Sequence, residues 1–244
     1  MTLSVRNVCK KVRSGRGKVQ LFDGLNVEVG PGDRTALFGG AGAGKSAVLN
    51  LMTGSLEPDT GRVERHGFIS WPLPGAPFVS KDLTGATNVR FLARLYDLDE
   101  DEYLDRVLRL TDVSHLLNDR IVYWPKLLKS EFQSALGWCL NFDTYLFDGR
   151  FAAGSKGFIT SFKKELAAME PHKSLFIATE DPRQVTSFCT QAYVLYNQQA
   201  VHFPVLEEGI AFFTAINDTK GVVNEEEQED LESDDDDDPA AFVL

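Results

Sequence analysis

The sequence has few of the features that mark membrane, secreted or metal-binding proteins. No run of 18 uncharged apolar residues occurs, so we expect no membrane-spanning helix. Residues 1–6 lack a basic region followed by an apolar one, so we expect no secretory signal. Cys9, Cys139 and Cys189 are odd in number and widely spaced, which favours reduced thiols in a cytosolic protein over disulfides. The four histidines are scattered without an acidic residue or cysteine at ligand spacing, so we expect packing or surface roles for them.

A basic excess is also missing, because the formal net charge of the 244 residues is −11. Residues 225–238 contain eleven of the 36 acidic residues and no Lys or Arg. The other 25 acidic residues balance the 25 basic ones, so we expect no nucleic-acid partner, although counting does not address a local basic patch. Apolar content falls from Thr219 onward, which predicts a disordered acidic tail over residues 219–244. Such a tail either aids solubility, which we favour, or binds a basic patch on a partner.

Residues 39–46 contain the most informative pattern in the chain. They read Gly-Gly-Ala-Gly-Ala-Gly-Lys-Ser and fit the phosphate-binding (Walker A) pattern G-x-x-x-x-G-K-[ST]. The glycines let the backbone turn its N–H groups inward around a polyphosphate. A short apolar strand over Arg34–Phe38 enters the loop, and a helix over Ala47–Met52, stopped by Gly54, leaves it. This context predicts a nucleotide-binding fold.

The same loop supplies the candidate ligand-binding residues. Lys45 would reach the β- and γ-phosphates of a nucleotide, and the Ser46 hydroxyl would hold Mg²⁺. The candidate nucleotide-binding residues are Gly39, Gly40, Ala41, Gly42, Ala43, Gly44, Lys45, Ser46 and Ala47.

Strand patterns flank this loop on both sides. Residues 1–30 alternate as two β segments around Gly15–Gly17, and the turn Gly30–Asp33 follows them. After the loop and its helix, a turn signal at Glu57–Gly61 precedes a predicted pair of strands near residues 62–70.

Beyond residue 84 the spacing of apolar residues changes. Helical spacing over Asn88–Leu95 and Tyr103–Leu110 predicts a helical insertion at about residues 84–140. Two short apolar runs then indicate buried parallel strands, and a hairpin turning at Asn197 and Gln198 and a helix follow. These segments are Thr144–Phe147, Leu175–Ala178, Ala192–Tyr196 with Ala200–Phe203, and Leu206–Ile216.

Taken in order, these motifs resemble an ABC-type ATP-binding subunit, and in particular the ATPase subunits of capsular polysaccharide exporters. The segments that resemble this group are Phe68–Pro72, Leu83–Val89, Phe91–Tyr96 and Phe142–Tyr145. The resemblance covers roughly residues 1–217. It implies an α/β fold of the P-loop NTPase, ABC ATPase type, with a mixed sheet core, an N-terminal antiparallel β segment and a helical subdomain, all within residues 1–218.

The resemblance also implies ligands and partners. ATP and Mg²⁺ would be the ligands, and Asp148, which ends an apolar strand, would bind the metal together with Ser46. The partners would be an ABC permease subunit, a second ATP-binding subunit in a homodimer or heterodimer, or both. The protein would then lie in the cytoplasm at the inner face of the plasma membrane, attached through its partner.

Several positions depart from the pattern of this family. Gly149 occupies the place of the glutamate that acts as general base, and Glu180 that of the switch histidine at the γ-phosphate. Because a carboxylate repels a phosphate, we expect Glu180 to point away from the phosphate site. Ser80 and Val12 lie about where the family has a glutamine that senses Mg²⁺ and an aromatic ring that stacks on adenine.

The largest departure concerns the signature segment, a Ser-Gly-containing helix start that caps the nucleotide on the opposite subunit. Residues 123–130 align there, and a side chain at Leu127 would block the close approach of backbone to phosphate. Lys126 is positive and could still contact a phosphate, which is the less favoured alternative, and Ser155 replaces an aspartate of the following loop. Because the base and the signature are both missing from one chain, no partner completes either site.

We therefore predict an ATP-binding subunit impaired in hydrolysis, a pseudo-ATPase, associated with capsular or surface polysaccharide export across the inner membrane. One alternative is an active ATPase with a displaced general base, for which Glu131, Glu180 and Asp181 are the candidates. The other is an interaction scaffold that does not need nucleotide. Lys45 and Ser46 argue against a scaffold, which has no need of a lysine above an empty anion site.

Overall fold

The computed structural model describes residues 3–14, 17–149 and 154–218, and the predicted acidic tail lies outside these residues. The strands are β1 (Leu3–Ser14), β2 (Gly17–Val29), β3 (Arg34–Phe38), β4 (Thr60–Arg65), β5 (Thr144–Asp148), β6 (Ser174–Thr179), β7 (Gln191–Tyr196) and β8 (Gln199–Phe203). The helices are α1 (Lys45–Thr53), α2 (Gly85–Leu95), α3 (Glu100–Leu110), α4 (Lys126–Trp138), α5 (Lys156–Ala167) and α6 (residues 206–218). Within the described part of the chain, no helix is both long and apolar enough to cross a bilayer.

The strands form two sheets. An antiparallel sheet has the order β2-β1-β4, and a mixed sheet has the order β5-β6-β3-β7-β8, in which only β8 runs antiparallel to its neighbour. The predicted antiparallel N-terminal segment and the hairpin of β7 and β8 are confirmed. The hairpin turns at Asn197 and Gln198, whose φ angles of 46° and 65° match the twist of paired strands.

The mixed sheet separates two hydrophobic cores. Because side chains alternate along a strand, Leu37 of β3 packs on one face with α1 and the antiparallel sheet. Ala36 and Phe38 pack on the other face with helices α2 to α6. The helices predicted around residues 88–95 and 103–110 are present as α2 and α3.

The predicted pair of strands near residues 62–70 is wrong. One strand, β4, forms there and pairs with β1. The chain after it follows β5 through isolated bridges at Ile69 and Leu73 only. Pro72 and Pro74 flank Leu73, and since proline has no N–H group it cannot continue a hydrogen-bonded ladder.

The three cysteines are all free thiols, and two of them are buried. Burial raises the pKa of Cys139 and of Cys189 to about 12. Since the thiolate is the reactive form, we expect only the partly exposed Cys9 to react rapidly with a thiol reagent at about pH 8. Mass spectrometry should find one label on the folded chain and three after denaturation. Rapid labelling of Cys139 in folded protein would contradict the expected burial.

The raised pKa values of Cys139 and Cys189 also determine whether the fold gains or loses stability as the pH rises. In the unfolded chain a thiol ionises near about pH 8.5, whereas Cys139 and Cys189 stay protonated in the fold. Their contribution to the free energy of unfolding is therefore complete below about pH 8.5 and is lost as the pH rises toward 12.

Candidate functional site

The loop between β3 and α1 has the backbone shape that its glycines predict. Gly42 and Gly44 have φ angles of +73° and +99°, a region that side chains disfavour. Helix α1 begins directly after Gly44, with no side-chain cap and no acidic residue in its first turn. The N–H groups at the positive end of this helix therefore face the loop, an arrangement that binds anions.

The antiparallel sheet supports this loop from behind. A Cβ atom added to Gly44 would lie 2.9 Å from two ring carbons of Phe22 and 3.2 Å from Cδ1 of Leu21. Phe22 of β2 is fully buried. The contact explains why residue 44 must be small as well as flexible. The loop pattern alone gave no signal for Phe22.

The loop opens into a cavity of about 590 Å³. Strands β5, β6 and β3 are parallel neighbours, so their carboxyl ends all meet at this edge of the sheet. The cavity is lined by Gly42, Gly44, Lys45, Ser46, Ala47, Asp148, Gly149, Thr179, Glu180, Asp181 and Gln184. The structure thus brings the two proposed Mg²⁺ ligands, Ser46 and Asp148, to one cavity. The lining also includes Thr179 and Gln184, which the sequence reasoning missed because no motif contains them.

The other proposed loop residues, Gly39, Gly40, Ala41 and Ala43, are not in this lining. The carbonyl groups of Gly39 and Gly40 instead accept hydrogen bonds from Lys45 Nζ, at 2.8 and 2.9 Å. The amide of Ala43 donates to the Gly40 carbonyl at 3.2 Å and tightens the turn. These residues therefore shape the loop and hold its lysine.

Glu180 makes the third contact of that lysine. Lys45 Nζ lies 2.8 Å from Glu180 Oε1, and the exposed fraction of the side chain is 11% for Lys45 and 56% for Glu180. The expectation that Glu180 points away from the phosphate site is therefore wrong. That expectation considered repulsion from a phosphate alone, whereas Glu180 pairs with the ammonium group of Lys45 at the start of α1.

Gly149 lines the cavity where a general base was expected to be missing. Its φ angle is +77°, and its N–H donates to the Ala178 carbonyl at 2.9 Å. Apart from its chain neighbours, no atom of the described residues lies within 4 Å of a Cβ built there. The peptide is thus anchored to β6, and residue 149 offers no proton acceptor on a side chain.

Two of the three carboxylates proposed as displaced bases accept hydrogen bonds from other residues of the chain. Glu131 is buried, and its Oε1 accepts a hydrogen bond from the Ser155 amide at 2.5 Å, outside the cavity lining. Asp181 lines the cavity, but its Oδ1 accepts from Arg183 Nε at 2.8 Å. Hydrogen bonds from the Arg183 side chain hold the pKa of Asp181 below its ordinary value, which makes it a weaker base.

Three further residues that depart from the family pattern, Ser80, Ser155 and Val12, have structural roles. The backbone of Ser80 exchanges hydrogen bonds with the Asn88 side chain at 2.8 and 3.0 Å, which ties it to α2. Ser155 caps α5, since its Oγ accepts from the Phe158 amide at 3.2 Å. Val12 pairs with Val19 across the β1–β2 hairpin. The cavity lining includes none of these side chains.

The segment aligned with the signature forms the start of α4. Pro125 precedes this helix and provides no side-chain cap, and the exposed fraction of Leu127 is 50%. Val122 and Tyr123, shortly before this helix in the chain, also expose apolar side chains. So does Leu83, whose carbonyl accepts a hydrogen bond from the Ile121 amide. Leu127 thus presents a bulky apolar group on the surface, and neither it nor Lys126 lines the cavity.

Known proteins resemble this chain in sequence and in fold. A family model described as "ABC transporter" matches residues 22–122. The ATP-binding protein BexA of Haemophilus influenzae is 31% identical over 211 residues, which cover 86% of this chain and 97% of that protein. The capsule polysaccharide export ATP-binding protein CtrD of Neisseria meningitidis serogroup B is 25% identical over 214 residues, covering 88% and 99%. A solved structure of the ATP-binding subunit of an ABC transporter has a TM-score of 0.71 at 20% identity, covering 82% and 88%, a likeness that concerns the fold.

Proposed function

The chain belongs to the ABC transporter family of ATP-binding proteins and has their P-loop fold, and on this premise we propose that it binds ATP without efficient hydrolysis. The observation that carries this proposal is the composition of one cavity. It combines a phosphate-binding loop with Ser46 and Asp148, and it has Gly149 where a base is needed.

The residues present fit ATP and Mg²⁺. Mg²⁺ prefers hard oxygen ligands and is commonly bound by one or two carboxylates together with substrate phosphates. The Ser46 hydroxyl and the Asp148 carboxylate supply such oxygens. When bound, the metal would neutralise charge on the phosphates. The loop amides and Lys45 would hold the phosphate groups themselves.

We expect weak hydrolysis because the carboxylates that could replace a base at residue 149 are paired with cationic side chains. A water molecule needs a positioned proton acceptor, and residue 149 has no side chain. Asp181 is paired with Arg183, and Glu180 with Lys45. An active ATPase with a displaced base remains the second candidate, because Glu180 is the one proposed base that lines the cavity without a guanidinium partner in the described contacts.

A nucleotide-independent scaffold is the third candidate. The pair with Glu180 gives Lys45 a role that needs no bound anion, which weakens the argument from the lysine alone. The anion site at the start of α1 still favours a nucleotide, because a scaffold needs no uncapped helix start beside a glycine loop.

We further propose that this subunit serves capsular or surface polysaccharide export. The support is likeness to CtrD, whose name describes capsule polysaccharide export, together with near-complete coverage of both chains. The proposed partners are a membrane permease and a second ATP-binding subunit, identical or different. Attachment to the inner face of the membrane would then occur through the permease.

Nucleotide binding is tested by titrating the purified chain with labelled ATP and Mg²⁺. We expect Lys45→Ala to weaken binding by roughly tenfold to a hundredfold, because a hydrogen bond to a charged group contributes about 1.5–3 kcal/mol. Lys173→Ala is the matched control, since Lys173 is equally buried at 12% exposure and is paired with Glu170 at 3.1 Å. Wild-type chain that binds no ATP would instead favour the scaffold.

A further inference from the structure

One contact in the cavity needs an explanation, namely the ion pair between Lys45 and Glu180. An ammonium group has three N–H donors. Those of Lys45 have three acceptors, the carbonyls of Gly39 and Gly40 and the carboxylate of Glu180. Only Glu180 among these acceptors is charged. An incoming phosphate group that uses Lys45 must therefore share the ammonium with this carboxylate or displace it.

The charges on the cavity wall make this competition unequal for different nucleotides. Among the residues that the structure describes, Lys45 is the one cationic residue in the lining, which also contains three carboxylates. Asp181 is paired with Arg183, and Asp148 is the proposed metal ligand. Glu180 has Lys45 as its partner. A longer, more negative phosphate chain that takes Lys45 leaves Glu180 unpaired beside it, and like charges at close range repel.

We propose that Glu180 sets the nucleotide preference of this site, so that a nucleoside diphosphate binds at least as tightly as the triphosphate. This inference rests on the proposed nucleotide binding. The shorter diphosphate can use the loop amides with less demand on Lys45. The triphosphate adds a terminal phosphate group. Its attraction to Lys45 is offset by its repulsion from the nearby carboxylate of Glu180.

The exposure of the two side chains limits the size of the effect. Glu180 is more than half exposed, so its carboxylate can turn toward water at a modest cost. Replacing the carboxylate of Glu180 with an uncharged amide ends the repulsion and weakens the competition for Lys45. We therefore expect Glu180→Gln to raise the affinity for ATP by about tenfold and that for ADP by no more than about twofold.

The test is calorimetric titration of the full chain with ATP and with ADP, each with Mg²⁺, at moderate salt. Glu180→Gln and Glu180→Ala are both measured, since glutamine can still accept a hydrogen bond from Lys45 and alanine cannot. Glu208→Gln is the matched control, because it removes one exposed carboxylate charge that lies outside the cavity lining. Its ratio of ATP to ADP affinity should stay within about twofold of the wild type.

Each outcome separates this inference from the proposed function. A selective gain of ATP affinity in both Glu180 variants supports the inference. If wild type and variants bind both nucleotides with an unchanged ratio, the inference fails and nucleotide binding stands. An equal gain in Glu208→Gln also overturns it, since the effect would then be one of total charge. If neither nucleotide binds any form, the proposed function fails, and the inference fails with it.

Discussion

Purified wild-type chain should release phosphate from ATP and Mg²⁺ at no more than roughly 10⁻¹ per second. Enzymes typically turn over about ten times per second, and loss of a general base typically costs about 10²–10⁴-fold. Gly149 offers no base, and the Glu180 carboxylate is held against Lys45 at 2.8 Å. A phosphate-release assay measures the rate for the chain alone and for the chain mixed with a permease and a second ATP-binding subunit.

Asp148→Asn and Lys45→Ala provide the controls for that rate. If hydrolysis is absent, both variants should match the wild type in the assay. A wild-type rate near one per second that Asp148→Asn removes would contradict the pseudo-ATPase proposal. Glu180→Gln would then test the displaced base directly, because loss of turnover in this variant would assign that role to Glu180.

Gly44→Ala should lower the free energy of unfolding by about 3 kcal/mol. The φ angle of +99° disfavours any side chain by about 1–2 kcal/mol. The new Cβ would also lie 2.9 Å from the buried ring of Phe22, and overpacking of this kind typically costs about 1–3 kcal/mol. Urea unfolding of the wild type and the variant, followed by circular dichroism, measures the difference.

Gly42→Ala separates these two contributions. Gly42 has a φ angle of +73°, and within the described part of the chain only its own neighbours in sequence come within 4 Å of a Cβ placed there. Gly42→Ala should therefore lower the free energy of unfolding by only about 1–2 kcal/mol, the cost of a side chain at a positive φ angle. Equal losses in both variants would mean that the packing of Phe22 does not constrain residue 44.

The elements that sequence analysis predicted well are those whose signals are local. The strand Arg34–Phe38, the glycine loop and the helix after it follow one another within about 20 residues, and each has its own pattern. The hairpin of β7 and β8 was also predicted, because two strand-like runs flank the turn at Asn197 and Gln198. In contrast, a strand pair was expected near residues 62–70, where only β4 forms. Two prolines follow there, and the isolated bridges depend on packing against the distant β5.

The limits of the sequence are clearest at the cavity itself. Residue types and their spacing were enough to predict the anion loop, because a G-x-x-x-x-G-K-S pattern is a property of the chain as written. The prediction that Gly149 replaces a general base came from the family resemblance. The orientation of Glu180 and the support of Gly44 by Phe22 depend on folding. Lys45 and Glu180 are 135 residues apart, and they meet only because β3 and β6 are parallel neighbours whose carboxyl ends share one edge of the sheet.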